Sequence, residues 1–68
     1  MREKIISIIE EEMDFHPITE AMRFEEIGMD SLDFILIVNL IRDQVGPITR
    51  QQAQGCASVG DLIKAVAN

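Results

Sequence analysis

Gly28-Met29-Asp30-Ser31-Leu32-Asp33 runs without interruption into Phe34-Ile35-Leu36-Ile37-Val38. Aspartates at 30 and 33, set just before an apolar run, read as a helix start. Asp30 can accept the backbone N–H three residues on, and Asp33 adds negative charge to the first turn. The spacing predicts a helix that opens at Asp30, places Ser31 in its first position and runs to about Val45. Leu32, Ile35, Val38, Ile41 and Val45 recur at helical intervals and form the expected inward stripe. Phe34, Leu36, Ile37 and Leu40 extend apolarity around most of the circumference. Such a helix is either central in a core or presents a face to a partner. Gly46-Pro47 closes it, with Gly46 suited to a left-handed position after the last turn.

Working outward, the rest of the chain also reads as helix. Ile5, Ile6, Ile9 and Met13 make one stripe over about residues 2–14, broadened by Ile8, and Pro17 forbids its continuation. A long connection, about 15–29, carries Phe15, Ile18, Met22, Phe24 and Ile27. A loop so apolar is expected to lie over the bundle and plug its side chains into the core, and long loops in small domains are often functional. Thr49 with Gln52 matches a capping box and opens a short third helix that Gly55 stops. Ser58 with Asp61 opens the fourth, whose buried stripe is Val59, Leu62, Ile63 and Val66 and which ends near Asn68. The expected architecture is all-α: a small four-helix bundle with a long first loop and a short third helix.

Length and composition narrow the function. Sixty-eight residues form one small domain with a marginal core. Its one cysteine, Cys56, allows no internal disulfide, and one histidine, His16, leaves no zinc-type cluster. Cys56 reads as a small buried hydrophobe near the third helix, His16 as a loop residue, and Met13 and Met22 as gap-fillers in an adaptable core. Twelve Asp and Glu against six Lys and Arg give a net charge of −6, which argues against nucleic acid as a partner. The acids concentrate in one stretch, Glu10-Glu11-Glu12, Asp14, Glu20, Glu25-Glu26, Asp30 and Asp33, a face that a basic partner would meet. No secretory signal is visible, and the longest apolar run, 34–38, is too short to enter a membrane as a span. A soluble, cytoplasmic monomer is expected, and Met1 with the tight ending suggests a free-standing protein.

The hydroxyl of Ser31 is the remaining chemistry. It sits at the positive end of a helix dipole, where backbone N–H groups lack intrahelical partners and an anion, phosphate above all, is favoured. A nucleophilic serine would need a base and an oxyanion hole. The lone His16 lies beside a proline, no strand precedes Ser31, and Met29 separates the glycine from the aspartate of a Gly-Asp-Ser-Leu hydrolase pattern. The chain is not expected to be an enzyme. A serine that carries a covalent group needs only exposure, a helix N-terminus and a neighbouring carboxylate for a modifying enzyme to read.

Asp30-Ser31-Leu32, preceded by Phe24-Glu25-Glu26-Ile27-Gly28, resembles the attachment motif of acyl and peptidyl carrier proteins, in which an apolar residue, Gly, any residue, Asp, Ser and Leu follow in order. The likeness covers nearly the whole chain: the acidic first helix, the apolar-studded loop, the capped second helix, the short third helix and the Ser58-Val59 entry to the last fall in family order. It implies a single carrier domain over residues 1–68, of acyl-carrier type. It implies 4′-phosphopantetheine on Ser31 through a phosphodiester, recognition of Asp30 by a phosphopantetheinyl transferase, a tight approach to the helix allowed by Gly28, and a flanking Leu32. Met29 would touch the arm or an enzyme. The arm's thiol would carry an acyl thioester between acyl-loading and acyl-using enzymes, and the bundle between the second and third helices would shelter a short chain.

The family's fatty-acid carriers have a second helix rich in glutamate. Asp33 and Asp43 remain here, but Leu36, Asn39 and Arg42 replace acids or small apolar residues. The partner-binding face is therefore expected at Asp33, Leu36, Asn39, Leu40 and Asp43, less acidic and more apolar than in bulk fatty-acid synthesis. That suggests a specialised carrier in lipid, fatty-acid-derived or polyketide-like biosynthesis, unless Leu36 and Leu40 simply bury under the long loop. Two alternatives share the residues: an aminoacyl or peptidyl carrier, and a non-catalytic helical adaptor in which Ser31 stays unmodified.

Clustered acids repel one another in a small core with no Trp or Tyr and three Phe. The thermal midpoint is expected to rise as sodium chloride or a divalent cation screens that stretch. A midpoint unchanged across a salt titration would show that repulsion is not limiting.

Overall fold

The computed structural model describes residues 1–67, and its helices are α1 (Arg2–Met13), α2 (Phe24–Ile27), α3 (Ser31–Gln44), α4 (Arg50–Gln54) and α5 (Val59–Ala67). Asn68, at which the chain ends soon after the last buried stripe, lies outside the described residues. The all-α bundle stands, with one addition: the long first loop contains a one-turn helix, α2. Its start is held by Glu26, whose Oε1 accepts the Arg23 N–H at 2.9 Å. Gly28 stops it in the left-handed region, at φ 84°. A single turn carries too little periodicity to stand out from an apolar loop.

Ile5 and Ile9 of α1, Ile37 and Ile41 of α3, and Val59 and Leu62 of α5 form the fully buried centre. α3 packs chiefly on α1. Its inward face is Phe34, Ile37, Val38, Ile41 and Val45, all buried or packed against the core. This corrects the expected stripe. Leu32 is 77% exposed and Ile35 is 56% exposed. On a helix apolar almost all round, periodicity leaves the inward direction open; the neighbours decide it, and here α1 turns Ile37 inward and Ile35 out.

The end of α3 also differs from expectation. The N–H groups of Val45 and Gly46 both donate to the Ile41 carbonyl, at 2.8 and 3.0 Å. Val45 stays in the right-handed region, and among the described residues the glycine with positive φ is Gly28, not Gly46. Pro47 then bars further helix, and the chain drops Ile48 into the core. Ile48 and the buried Ala53 had no stripe to announce them.

The connection between α1 and α3 does line the bundle. Ile18 and Ile27 are buried, Met22 and Phe24 are half-buried, and Phe15 alone of that apolar set is exposed. Glu10 Oε2 accepts the Ile18 N–H at 2.9 Å. Farther along, the carbonyls of Glu20 and Met22 accept the N–H groups of Gly60 and Val59 at 2.9 and 3.0 Å, and the Phe24 N–H donates to Ala57 O at 3.1 Å. The loop backbone thus satisfies N–H groups that the first turn of α5 cannot pair internally. Gly60 permits this contact, since a Cβ there would lie 3.1 Å from the Glu20 carbonyl oxygen. Ser58 Oγ accepts the Asp61 N–H at 3.2 Å, and Asp61 Oδ2 accepts from Ala57 and Ser58 at 3.0 and 3.2 Å. Those bonds, the Ala57 N–H foremost, hold the Asp61 carboxyl below its ordinary value.

Adjacent isoleucines test the orientation of α3. Ile37→Ala should cost about 2–5 kcal/mol, a large share of a small domain's stability, whereas Ile35→Ala should stay within about 0.5 kcal/mol. Urea denaturation of both variants reads the difference directly, and equal losses would contradict this rotation of the helix.

Candidate functional site

Two carboxylates make the mouth of α3. Asp30, extended at φ −96° and ψ −176°, accepts the Asp33 N–H at Oδ1, 2.9 Å away, and Asp33 Oδ2 takes the Asp30 N–H at 3.4 Å. Such a cap is worth roughly 1 kcal/mol. Between them, Ser31 occupies the first helical position and is exposed. The N–H groups of Ser31 and Leu32 have no backbone acceptor among the described residues, so the dipole's positive end remains available beside the hydroxyl.

The chain reverses from α2 into this mouth within three residues. Gly28 makes the reversal: its N–H donates to Glu25 O at 3.3 Å and Met29 N–H to Phe24 O at 3.1 Å. A Cβ at Gly28 would meet nothing within 4 Å. The glycine is required by its left-handed backbone, not by close packing against the helix. Phe24 of α2 braces Phe34 of α3, ring centroids 5.3 Å apart and planes inclined at 52°, a favourable tilted arrangement.

Beside Ser31 a cavity of about 330 Å³ opens, with Phe24, Met29, Phe34 and Cys56 in its wall. A second, of about 400 Å³, lies between α3 and α4. Phe34, Ala53 and Gln54 line both, so the groove between α3 and α4 adjoins the cavity beside the serine. His16 is in neither lining, and the carboxylates near Ser31 are engaged in the cap. The arrangement exposes a hydroxyl beside an open cavity with a partly apolar wall.

The other expected site residues divide. Leu32, Leu36, Asn39 and Asp43 lie exposed on α3, with Ile35 completing an apolar face that continues from Ser31. Leu36 does not bury under the loop. Asp33 serves the cap, and Leu40 packs against the core; neither stands free on a partner-facing surface. Arg42 has an internal task that its sequence position did not announce. Its Nε and Nη2 donate to the Ile48 carbonyl at 3.1 and 3.0 Å, and Nη1 reaches Asn39 Oδ1 at 3.4 Å. It staples the connection between α3 and α4. Arg50 and Gln54 are groove residues that sequence reasoning missed. Only the packing of α4 on the groove brings them there, and the one available signal was their place on a capped helix.

Comparison with known proteins agrees with this geometry. The sequence profile described as "phosphopantetheine attachment site" matches residues 3–66. A protein of Mycobacterium tuberculosis, described as an acyl carrier protein, superposes with a TM-score of 0.90 at 26% identity, over 97% of this chain and 93% of its own. No curated protein sequence matches significantly.

Cys56 is half-buried, and its Sγ lies 3.2 Å from the Gln52 carbonyl. Burial, then the charge of Asp61, raises its thiol above the ordinary value of 9.0. Raising the pKa lowers the thiolate fraction at neutral pH. Iodoacetamide labelling followed by mass should therefore lag a free-cysteine peptide at pH of about 8 and keep rising with pH after the peptide's rate has levelled off. Peptide-like labelling at the lower pH would show an accessible, reactive thiol.

Proposed function

Because the chain belongs to the phosphopantetheine attachment family, we propose that Ser31 is its attachment residue and that the arm it bears carries an acyl thioester. Members of this acyl-carrier type are non-catalytic, and 4′-phosphopantetheine is their covalent cofactor. One observation carries the assignment to Ser31: an exposed hydroxyl in the first position of a capped helix, at the mouth of a groove. The serine Oγ would hold the phosphodiester, and the N–H groups of Ser31 and Leu32 would face its charge, as helix N-termini do with phosphates. When bound, the group supplies the thiol on which cargo is held.

The surrounding residues have matching roles. Gly28 sets the turn that delivers Ser31 to the surface. Asp30 keeps unused acceptor positions beyond its bond to Asp33 and would be read, with exposed Leu32, by a phosphopantetheinyl transferase. Leu36, Asn39 and Asp43 would meet the enzymes that load and unload the cargo. The exposed apolar face supports partners that dock by buried area more than by electrostatic steering. That favours a specialised carrier in lipid, fatty-acid-derived or polyketide-like biosynthesis.

Incubation with coenzyme A, Mg²⁺ and a broad phosphopantetheinyl transferase, read by intact mass, tests the assignment. The wild-type chain should gain one phosphopantetheine and Ser31→Ala none. A folded wild-type chain that gains nothing returns Ser31 to the role of a helix-start residue.

A further inference from the structure

The six cations of this acidic chain are not scattered evenly in their duties. Arg2 pairs with Glu20 at 3.1 Å, and Arg23 with Glu25 at 3.0 Å. Arg42 and Arg50 instead line the cavity between α3 and α4, a lining that contains no Asp or Glu. Arg50 has no ion-pair partner among the described residues. Arg42 is fixed in place by the Ile48 carbonyl yet keeps donors to spare, since a guanidinium has five N–H groups. Asn39 and Gln54 add amide groups at the same wall, while Phe34, Ile35, Val38 and Ala53 supply apolar surface. Beside the cavity at the carboxylate-flanked serine, the adjoining groove thus has an apolar wall and a cationic end.

From this we infer that the groove is built for an acyl group that ends in a carboxylate, a dicarboxylic half-thioester, with Arg50 and Arg42 receiving the free carboxylate. The inference rests on Ser31 being the attachment residue. A cofactor phosphate on Ser31 cannot occupy the cationic end, because Arg42 stands eleven residues along α3, about 16 Å of helix. That end lies beyond the phosphate, where the distal arm and its cargo would fall. A methyl-terminated chain of the same length would displace water from Arg50 and from the free donors of Arg42 without replacing its hydrogen bonds, and covering polar groups without partners is costly. A carboxylate gives them charge-assisted bonds, for which the arginine fork is well shaped.

The experiment uses the full chain loaded on Ser31 from glutaryl-, methyl-glutaryl-ester- and hexanoyl-coenzyme A, each product confirmed by intact mass. Thermal midpoints and backbone amide NMR shifts are then compared. The glutaryl form should melt roughly 2–4 °C above the ester and hexanoyl forms and shift the amides of Asn39, Arg50, Ala53 and Gln54. In loaded Arg50→Gln the advantage should shrink to less than half. Equal midpoints and equal shifts for the three cargoes overturn the inference while leaving Ser31 as the carrier residue. So does a glutaryl advantage that persists undiminished in Arg50→Gln, or a hexanoyl form that is the most stable of the three. Absence of any mass gain overturns the carrier reading itself, and this inference with it.

Discussion

The reciprocal bond between Asp30 and Asp33 decides where α3 begins, and the rest of the molecule follows from that register. Each carboxylate takes the other residue's backbone N–H, so the helix can start at Ser31 and at no neighbouring position without losing both bonds. One residue of slip would turn α3 by about 100°. Ile37 would turn away from the core, and a neighbour such as the exposed Leu36 would turn toward α1. The cap gives Ser31 its exposed place, and packing on α1 selects the face of α3 that is buried. Two negative charges stand close together to make this cap. The dipole at the helix start offsets their repulsion.

A chain this short has little interior, and it uses its longest connection as core. Ile18 and Ile27 are as buried as many helical residues, and the loop carbonyls of Glu20 and Met22 complete the start of α5. The two ion pairs along this loop, Arg2 with Glu20 and Arg23 with Glu25, are exposed on both sides, where such pairs contribute little. Burial and backbone bonding hold the segment. The consequence for the site is direct: α2 grows from this fixed loop, and its Phe24 supports Phe34 beneath the mouth of α3.

Local signals in the sequence were reliable wherever a side chain acts on nearby backbone. Asp30 with Asp33, Thr49 with Gln52 and Ser58 with Asp61 all bond as their spacing foretold. So did the resemblance carried by Asp30-Ser31-Leu32, which identifies the family correctly. What stayed hidden depends on distant neighbours. Leu32 and Ile35 look as buried as Ile37 in a helix apolar on most sides, and only α1 distinguishes them. Arg42 reads as a surface substitution until Ile48 folds back to meet it. Gly46 carries the usual sign of a left-handed helix end, but two N–H groups on the Ile41 carbonyl and the following proline finish α3 without it.

Ile35 joins the exposed apolar face of α3 to the groove beside it. It is exposed beside Leu32 and Leu36, and it also forms part of the wall of the groove between α3 and α4. Apolar side chains left in water at three neighbouring positions on one helix cost free energy in the isolated protein, and cover by another surface regains it. Any partner seated on Leu32 and Leu36 meets Ile35 as well, and so meets the rim of the groove between α3 and α4. Docking at this face and access to the groove are then geometrically linked through one side chain. The fold needs no moving lid for that link, only an isoleucine that the register of α3 turns outward.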